Sequence, residues 1–311
     1  MKHFTAPHKQ ALKKRVNRFF SSSTQLRADV YDFVDVIAGK NKLDIYVFGG
    51  LVRDIGLFGV RDFSSDVDLV VENNRTELIK ALSRLPKANV YQNKFGGFRI
   101  KHGAWEIDIW CAKDTWAIKN KFVVYEDISS LLKTTFLSWD SALFDVKNQK
   151  LICNDDYLEN LVNGSLDIIL KNSPNELGSM VRLTRAIYGK GAKTLKNNAL
   201  NTLRVYFEKY SLDEIITYEH KNYNDKYLNK INLNTLKDKV DFLPGDSSLR
   251  IDIERQLSLP LDRLDKILNA NFSTTKKTPC YKSNKLKLEA RGNPVNKLSQ
   301  LELSLTDFLN P

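Results

Sequence analysis

Cysteine is scarce in this chain, with three residues among 311. Cys111, Cys153 and Cys280 lie far apart in the sequence, and none of them belongs to a CxxC pair. This number and spacing exclude a disulfide framework and give no support to a cysteine-ligated zinc site. We therefore expect reduced thiols.

Long apolar segments are also missing. The longest runs, such as Ile45–Phe48 and Val67–Val71, are far shorter than the roughly 20 residues that a membrane-spanning helix needs. The basic residues near the N-terminus are not followed by the apolar core of a signal peptide. These absences predict a globular protein of the cytoplasm without a membrane partner.

Histidine is rare too, and the four residues are scattered through the chain. His3, His8, His102 and His220 form no sequence pattern with serine or cysteine that is typical of nucleophilic catalysis. We interpret them as ordinary surface or core residues.

Acidic residues are absent from the first 24 positions, although the chain as a whole contains 37. The net charge is +11 at pH 7, and a second basic cluster lies at residues 276–297. Lys and Arg gain affinity for polyanions by releasing counterions from phosphates, which favours a nucleic-acid partner. A solvated basic surface is the alternative, as is docking of the N-terminal arm on a partner protein through Phe19 and Phe20. The basic residues of this arm, residues 1–24, are Lys2, Lys9, Lys13, Lys14, Arg15 and Arg18.

The spacing of apolar residues predicts a small α/β sheet domain followed by a helical half. Strands are predicted at 44–48, 66–71, 90–93, 98–102 and 105–111. Helices are predicted at 25–38, 51–58, 75–85, 156–162, 174–188, 194–209 and 251–268.

The segment GGLVRDIGLFGVRDFSSDVDLVV, residues 49–71, carries the first chemical signal. Gly49 and Gly50 stand where a strand ends and a helix begins, so phosphate oxygens can approach the backbone N–H groups of the helix N-terminus. Asp66 and Asp68 are two residues apart on a strand and therefore leave the same face. Two like charges on one face are tolerated in solvent or held by a cation, and Mg²⁺ prefers carboxylate oxygens. The pattern favours a site where a triphosphate and a metal meet.

A third carboxylate would complete a two-metal site. The segment AWEIDIWC offers Glu106 and Asp108 on one face of a later strand. Asp108 is the better candidate, since it is flanked by Ile107 and Ile109.

The order of these parts resembles the polymerase-β-like nucleotidyltransferases: strand, Gly-Gly, helix, strand with DxD, then an acid within an apolar strand. Within that superfamily, FGGLVRD resembles the GGxVRD motif of the CCA-adding enzyme and bacterial poly(A) polymerase family. DDYLENLVNG, residues 155–164, and MVRLTRAI, residues 180–187, resemble two later segments of the same family. The resemblance extends over residues 43–195, about half of the chain.

This resemblance implies transfer of a nucleoside monophosphate from an NTP to a hydroxyl, usually the 3′-OH of an RNA such as tRNA, with release of pyrophosphate. It implies that Asp66, Asp68 and Asp108 bind two divalent metals, Mg²⁺ or Mn²⁺, and that Gly49 and Gly50 receive the triphosphate. It also implies an α+β fold, with a polymerase-β-like head that contains a small mixed sheet and is followed by an all-helical half. The domain order is then a nucleotidyltransferase head at 25–150, a helical neck for nucleotide recognition at 151–215, and a helical body with the basic C-terminal segment at 216–311.

Three arginines are candidate nucleotide ligands. Arg53 follows the glycines and either reaches the triphosphate or pairs with an acid of the sheet domain. Arg182 and Arg185 are three apart and share a helix face, which is either a nucleotide contact or a solvated, salt-bridged face.

Two departures from the family pattern affect nucleotide recognition. The family's RRDFTIN segment corresponds to TTFLSWD, residues 134–140, which has no arginine pair. The family's base-reading EDxxR corresponds to residues 178–182, where Gly178 and Ser179 replace the acids and Arg182 is kept. The sequence therefore predicts that nucleotide choice does not follow the CCA pattern. It also leaves open two alternatives to RNA extension: an inactive RNA-binding or regulatory module, and transfer to a protein or small-molecule hydroxyl.

Overall fold

A computed structural model describes residues 5–21, 25–39, 43–61, 63, 66–72, 74–86, 89–243 and 248–251. Its main sheet has seven strands in the order β3-β4-β5-β2-β1-β6-β7. The pairing of β2 with β5 is parallel, whereas the other pairings in this sheet are antiparallel. The strands are β1 Ile45–Phe48, β2 Val67–Val71, β3 Val90–Gln92, β4 Phe98–His102, β5 Trp105–Cys111, β6 Ala142–Asp145 and β7 Lys150–Cys153.

Helices surround this sheet and make up most of the chain after it. The helices are α1 Lys9–Phe20, α2 Gln25–Gly39, α3 Gly50–Phe58, α4 Arg75–Leu82, α5 Trp116–Lys119, α6 Tyr157–Asn163, α7 Glu176–Tyr188, α8 Asn197–Lys209, α9 Leu212–Asn222 and α10 Lys230–Phe242. A second sheet has three two-residue strands in the order β10-β9-β8: β8 Ser165–Leu166, β9 Thr194–Leu195 and β10 Leu249–Arg250. The predicted α+β class, with a mixed sheet before a helical half, is confirmed.

Both faces of the main sheet are covered, because alternate residues of its central strands enter two different apolar clusters. Val47 and Leu69 belong to the large core that includes α1 to α4, and this core continues into the helical half. Tyr46 and Val70 point to the other face and pack with Leu131 and its neighbours from a 3-10 segment, Ile128–Lys133. This double burial explains why β1 and β2 are nearly continuous apolar runs.

The basic N-terminal segment is a helix packed on the sheet domain where the structure describes it. Residues 9–20 form α1, whose buried face contains Leu12, Val16, Phe19 and Phe20. The helix lies close to α3 at Gly56, where an added Cβ would be 3.4 Å from a methyl carbon of Leu12. The two phenylalanines suggested as an anchor for another protein are therefore part of this chain's own core.

Several predicted boundaries differ from the observed ones. The fourth helix ends at Leu82 rather than at residue 85, because a turn follows. The predicted helix start at Thr194 is wrong: Thr194 and Leu195 form β9, and α8 begins at Asn197. Strands β6 and β7 were not predicted. The predicted helix at 251–268 and the basic cluster at 276–297 lie outside the described residues, apart from residue 251.

None of the helices in the described ranges combines the length and apolar character needed to cross a membrane.

Candidate active site

The two glycines lie at the junction of β1 and α3, as the sequence predicts. Gly49 has φ +65° and ψ −113°, a backbone conformation that L side chains rarely adopt. Its N–H donates to the Ala142 carbonyl at 2.9 Å, and its carbonyl accepts from the Arg53 N–H at 3.1 Å. Gly50 begins a helix of nine residues, whose first N–H groups carry partial positive charge. The junction therefore has the backbone geometry of an anion site.

The predicted carboxylates meet at the neighbouring strands. Asp68 lies within β2 directly beside Asp108 of β5, because the parallel register pairs these two residues. Asp66 precedes β2 by one residue and is exposed, whereas Asp68 and Asp108 are half-buried. Burial raises the pKa of Asp68 well above its ordinary value, and the Asp108 and Asp66 carboxylates raise it further. Each of these effects opposes the ionised form of Asp68, and a cation would relieve them.

One of the three carboxylates already forms an ion pair with an arginine that was not predicted from the sequence. The Arg99 guanidinium donates from Nε to one oxygen of Asp108 at 2.8 Å and from Nη2 to the other at 2.6 Å. Glu106 lies at the edge of the same group, with its Oε2 4.0 Å from Nη1 of Arg99. The antiparallel register of β4 and β5 places Arg99 directly opposite Asp108. Counting back from the turn at Gly103 would have found this pair from the sequence.

The donor set fits a divalent cation in part. Carboxylate oxygens suit Mg²⁺ or Mn²⁺, and the ion pairs that the structure describes at this edge involve Asp108 and Glu106 rather than Asp66 or Asp68. Asp108, however, has both oxygens bonded to Arg99. Within the described ranges, no group of three or more His, Cys, Asp or Glu side chains is arranged to hold a metal ion. Asp66 and Asp68 thus present oxygens for a cation, while Asp108 does so only if Arg99 releases it.

Behind the glycines, Arg53 belongs to a buried charge network. Its Nε and Nη2 donate to the two oxygens of Asp54 at 2.7 and 3.0 Å, and its Nη1 donates to Asp140. Lys190, which follows α7, adds a bond from Nζ to Asp54 at 2.8 Å. Burial alone would raise the pKa of Asp54, but Arg53 and Lys190 outweigh it and hold that pKa below its ordinary value. The network connects the glycine junction to the helical half.

These contacts give Arg53 a role in holding the glycine junction. A Cβ added at Gly50 would lie 3.4 Å from Nη2 of Arg53, so the guanidinium packs directly against the loop. Binding of the triphosphate by Arg53 stays a prediction. Asp140, its second partner, belongs to the TTFLSWD segment, which sequence analysis noted only for its missing arginines.

The two arginines of α7 differ in their surroundings. Arg182 is exposed; its Nη2 donates to the Ser179 hydroxyl at 3.1 Å, and its guanidinium carbon is 5.7 Å from the centre of the Phe136 ring. Arg185 instead pairs with Glu219, which is fully buried, at 2.5 Å. Its guanidinium also lies 4.0 Å from the centre of the Tyr223 ring. Arg182 is thus the arginine placed to meet a ligand, and nucleotide binding by either residue stays a prediction.

Packing explains why acids are missing before Arg182. Ser179 is fully buried, and its hydroxyl lies 2.7 Å from the Ser173 hydroxyl. A Cβ at Gly178 would come within 2.7 Å of both the Asn175 amide nitrogen and the Tyr218 hydroxyl. A carboxylate at either position would need these neighbours to move.

Among known proteins, this chain is similar to solved structures and does not match any protein by sequence family. No protein-family model matches the chain, and no curated protein matches it. The Thermotoga maritima CCA-adding enzyme complexed with tRNA is similar with a TM-score of 0.53 and 16% identity, covering 73% of this chain and 54% of that one. A CCA-adding enzyme with CTP is similar with a TM-score of 0.52, 16% identity and the same coverage of 73% and 54%. An apo form of a CCA-adding enzyme gives 0.51 and 18% identity, again over 73% and 54%.

This similarity shows that the chain has the fold of CCA-adding enzymes, as the motif resemblance predicted. The chain spans about half the length of the solved chains it matches.

Proposed function

We propose that this protein is a metal-dependent nucleotidyltransferase that moves a nucleoside monophosphate from an NTP to the 3′-hydroxyl of an RNA and releases pyrophosphate. The observation that supports this most is the position of Asp68. It lies on β2, beside Asp108 of β5, and β2 is paired with β1, the strand that leads into Gly49. A triphosphate at the glycine junction would therefore have carboxylates on the adjacent strand.

RNA, and tRNA in particular, is the acceptor class that the fold favours. One of the similar solved structures contains tRNA, and another contains CTP. The net charge of +11 fits a polyanionic partner. A hydroxyl on a protein or a small molecule would need a different acceptor surface and is the outcome to exclude by experiment.

The chain's residues divide the work as follows. The N–H groups of the first turn of α3, beginning with Gly50, bind and orient phosphate oxygens, while Gly49, whose own N–H donates to Ala142, makes the turn that exposes them. The buried Arg53–Asp54–Asp140–Lys190 network keeps that junction fixed. Arg182 contacts the base or sugar of the incoming nucleotide. Asp66 and Asp68, joined by Asp108, would hold Mg²⁺ or Mn²⁺. When bound, the metal lowers the pKa of the attacking hydroxyl and neutralises charge on the triphosphate.

Base selection is expected to be loose. Arg182 donates hydrogen bonds to base edges, but the neighbouring hydroxyl of Ser179 is buried, and no carboxylate is present there to accept from the amino group of C or A. We expect the four NTPs to differ less in transfer rate than they would with a paired acid and arginine.

A second candidate is an RNA-binding module that has lost transfer. The Arg99–Asp108 pair favours it, because the guanidinium neutralises the third carboxylate without a metal ion. The two candidates differ in whether nucleotide is incorporated.

The experiment is incubation of the full-length protein with total RNA, Mg²⁺ or Mn²⁺ and each of the four NTPs in α-labelled form, followed by gel separation. The proposal expects label in RNA, and in tRNA-sized species first. Label in protein would favour the other acceptor class. RNA binding without label under any nucleotide and either metal would favour the inactive module. Strict addition of two C residues and one A to trimmed tRNA would contradict the expected loose base choice.

A further inference from the structure

A small pocket lies on the far side of Asp108 from the glycine junction. Its volume is about 210 Å³, and four aromatic residues, Phe95, Phe98, Trp110 and Trp116, line it together with Asp108. Pockets that enclose drug-sized ligands are typically about 300–1,000 Å³. This pocket therefore has room for one flat ring system and not for a whole nucleotide.

The walls of the pocket are fixed by contacts within the protein. The Asn93 side-chain oxygen accepts from the N–H groups of Phe95 and Gly97, each at 3.0 Å. The indole N–H of Trp110 donates to the Thr115 hydroxyl at 3.0 Å. A Cβ at Gly97 would lie 3.2 Å from the Cβ of Trp110, so the turn and the strand approach each other closely. The pocket is thus formed before any ligand enters, which lowers the entropic cost of binding.

The position of the pocket follows from the strand order. In the sheet, β5 has β2 on one side and β4 on the other, while the glycine junction lies at the end of β1 beyond β2. Asp68 and Asp108 therefore lie between the glycine junction and the pocket. In phosphoryl-type transfer, the attacking and leaving oxygens are roughly in line on opposite sides of the phosphorus. With the triphosphate at the glycines, the pocket is on the side from which the acceptor attacks.

Lysines at the rim of the pocket provide positive charge for a phosphate backbone. Lys94 is exposed and has its Nζ 5.4 Å from the centre of the Phe95 ring. Lys119 is also exposed; it donates to the Phe95 carbonyl at 2.8 Å and pairs with Asp114 at 3.0 Å. Aromatic faces for bases combined with cations for phosphates are typical of single-stranded nucleic-acid sites.

We propose that this pocket holds the 3′-terminal base of the acceptor RNA strand, with the base stacked on Trp116 and the terminal hydroxyl directed toward Asp108. The proposal rests on the proposed function and specifies its acceptor site. Trp116 is half-exposed and has Phe122 against it, with ring centres 5.1 Å apart.

The test measures binding of a 5′-fluorescein-labelled tRNA by anisotropy, without NTP, against the same RNA with an abasic 3′-terminal residue. The wild-type protein should bind the intact end about 5- to 150-fold more tightly, the range expected for loss of one stacked base. Trp116→Leu should reduce this ratio to about one, and Trp116→Phe should keep most of it. Phe95→Leu, a second change in the pocket, should lower the ratio as well.

Tyr31→Leu is the matched control, since Tyr31 is an exposed aromatic residue on α2, and it should leave the ratio unchanged. Thermal unfolding of each variant checks that it is folded, and calorimetry with ATP should give an unchanged affinity in Trp116→Leu. The pocket proposal is overturned if wild type does not discriminate between the two RNAs, if Trp116→Leu keeps the ratio, or if that variant loses ATP affinity instead.

These readouts do not depend on transfer. If Trp116→Leu lowers the binding ratio but the protein incorporates no nucleotide, the base pocket is supported and the proposed function is contradicted.

Discussion

The regions on the two sides of the neighbouring strands β2 and β5, which carry Asp68 and Asp108, differ in how deeply their charged side chains are buried. On the glycine side, Arg53 and Asp54 are buried charges paired inside the protein, with side chains 11% and 6% exposed. On the pocket side, the Arg99–Asp108 pair has side chains 21% and 22% exposed, and aromatic rings line the space beside it.

The difference separates a fixed part of the site from an adaptable part. Buried ion pairs in the first region cannot be exchanged for ligand contacts without leaving an unpaired charge, which is costly. Arg99 can move toward solvent at smaller cost, so a cation or an RNA end is able to compete for Asp108. The donor side is thus preorganised, whereas on the acceptor side the pocket walls are fixed and the Arg99–Asp108 pair is the part that can change on binding.

The largest expected effect is at Asp68, between the two sides. Asp68→Asn removes a proposed cation ligand and should lower nucleotide transfer by about a thousandfold or more, since metal stabilisation of developing charge amounts to several kcal/mol. Burial and then the neighbouring Asp108 and Asp66 carboxylates raise the pKa of Asp68, so its charge destabilises the fold at neutral pH. The free energy of unfolding should therefore stay the same or increase. Transfer rates and urea denaturation measure the two quantities.

Asp44→Asn is the control for this change. Asp44 is an exposed carboxylate that precedes β1 at the opposite end from the glycines and pairs with Lys147 at 3.3 Å. It should leave transfer unchanged. Near wild-type transfer by Asp68→Asn would remove Asp68 from the cation site.

The contrast in burial predicts a contrast in stability. Arg53→Gln leaves Asp54 and Asp140 without their main partner and should lower the free energy of unfolding by roughly 3–5 kcal/mol, as for other broken buried pairs. Arg99→Gln affects a partly solvated pair and should cost about 1 kcal/mol or less. Urea denaturation of both variants at one pH gives the comparison. Equal losses would mean that the two sides do not differ in the way described.

The two arginines of α7 allow a finer test on the donor side. Arg182→Met should weaken NTP binding by about 10- to 150-fold, the range for losing a hydrogen bond to a charged group, with little effect on stability. Arg185→Met should lower the free energy of unfolding and leave NTP affinity almost unchanged, because Glu219 would be left buried without its cation. Calorimetry with ATP, at a temperature where both variants are folded, separates the two effects. Loss of ATP affinity in Arg185→Met alone would reverse the assignment.

The smallest expected effect concerns the basic surface of α1. Lys14 and Arg18 are exposed on this helix, so both can be changed to Gln without disturbing its buried face. Each phosphate contact that is lost should flatten the slope of log K against log salt by about 0.7–0.9. The double variant should therefore lose up to about 1.4–1.8 in slope for tRNA. Lys237→Gln on α10 is the single-charge control, and an unchanged slope in the double variant would exclude this surface from RNA binding.

The sequence predicted the parts of the site that depend on local pattern. The period-two spacing of Asp66 and Asp68 and the glycines before an apolar helix required no knowledge of distant residues. Arg99 was missed although its hairpin register was readable, because the pattern that indicates a metal site consists of carboxylates and contains no arginine. The signal was the short turn at Gly103, which fixes the pairing of β4 with β5.

Other features depend on contacts between distant residues and could not be derived in this way. Strand β1 pairs with β2 on one side and with β6 on the other, and β6 is almost 100 residues away in the sequence. The Lys190–Asp54 bond likewise joins residues separated by 136 positions. The turn between β6 and β7 had a local signal, since the Asp145 carboxylate accepts from the N–H of Asn148 at 2.8 Å.

The most direct test of the central claim follows both ends of the triphosphate in parallel reactions with α-labelled and γ-labelled ATP, Mg²⁺ and tRNA. Nucleotidyl transfer predicts α-label in the RNA and γ-label in pyrophosphate, with both signals lost in Asp68→Asn. Appearance of γ-label in the RNA would contradict the account. So would absence of α-label from the RNA when folded protein is tested with each of the four α-labelled NTPs.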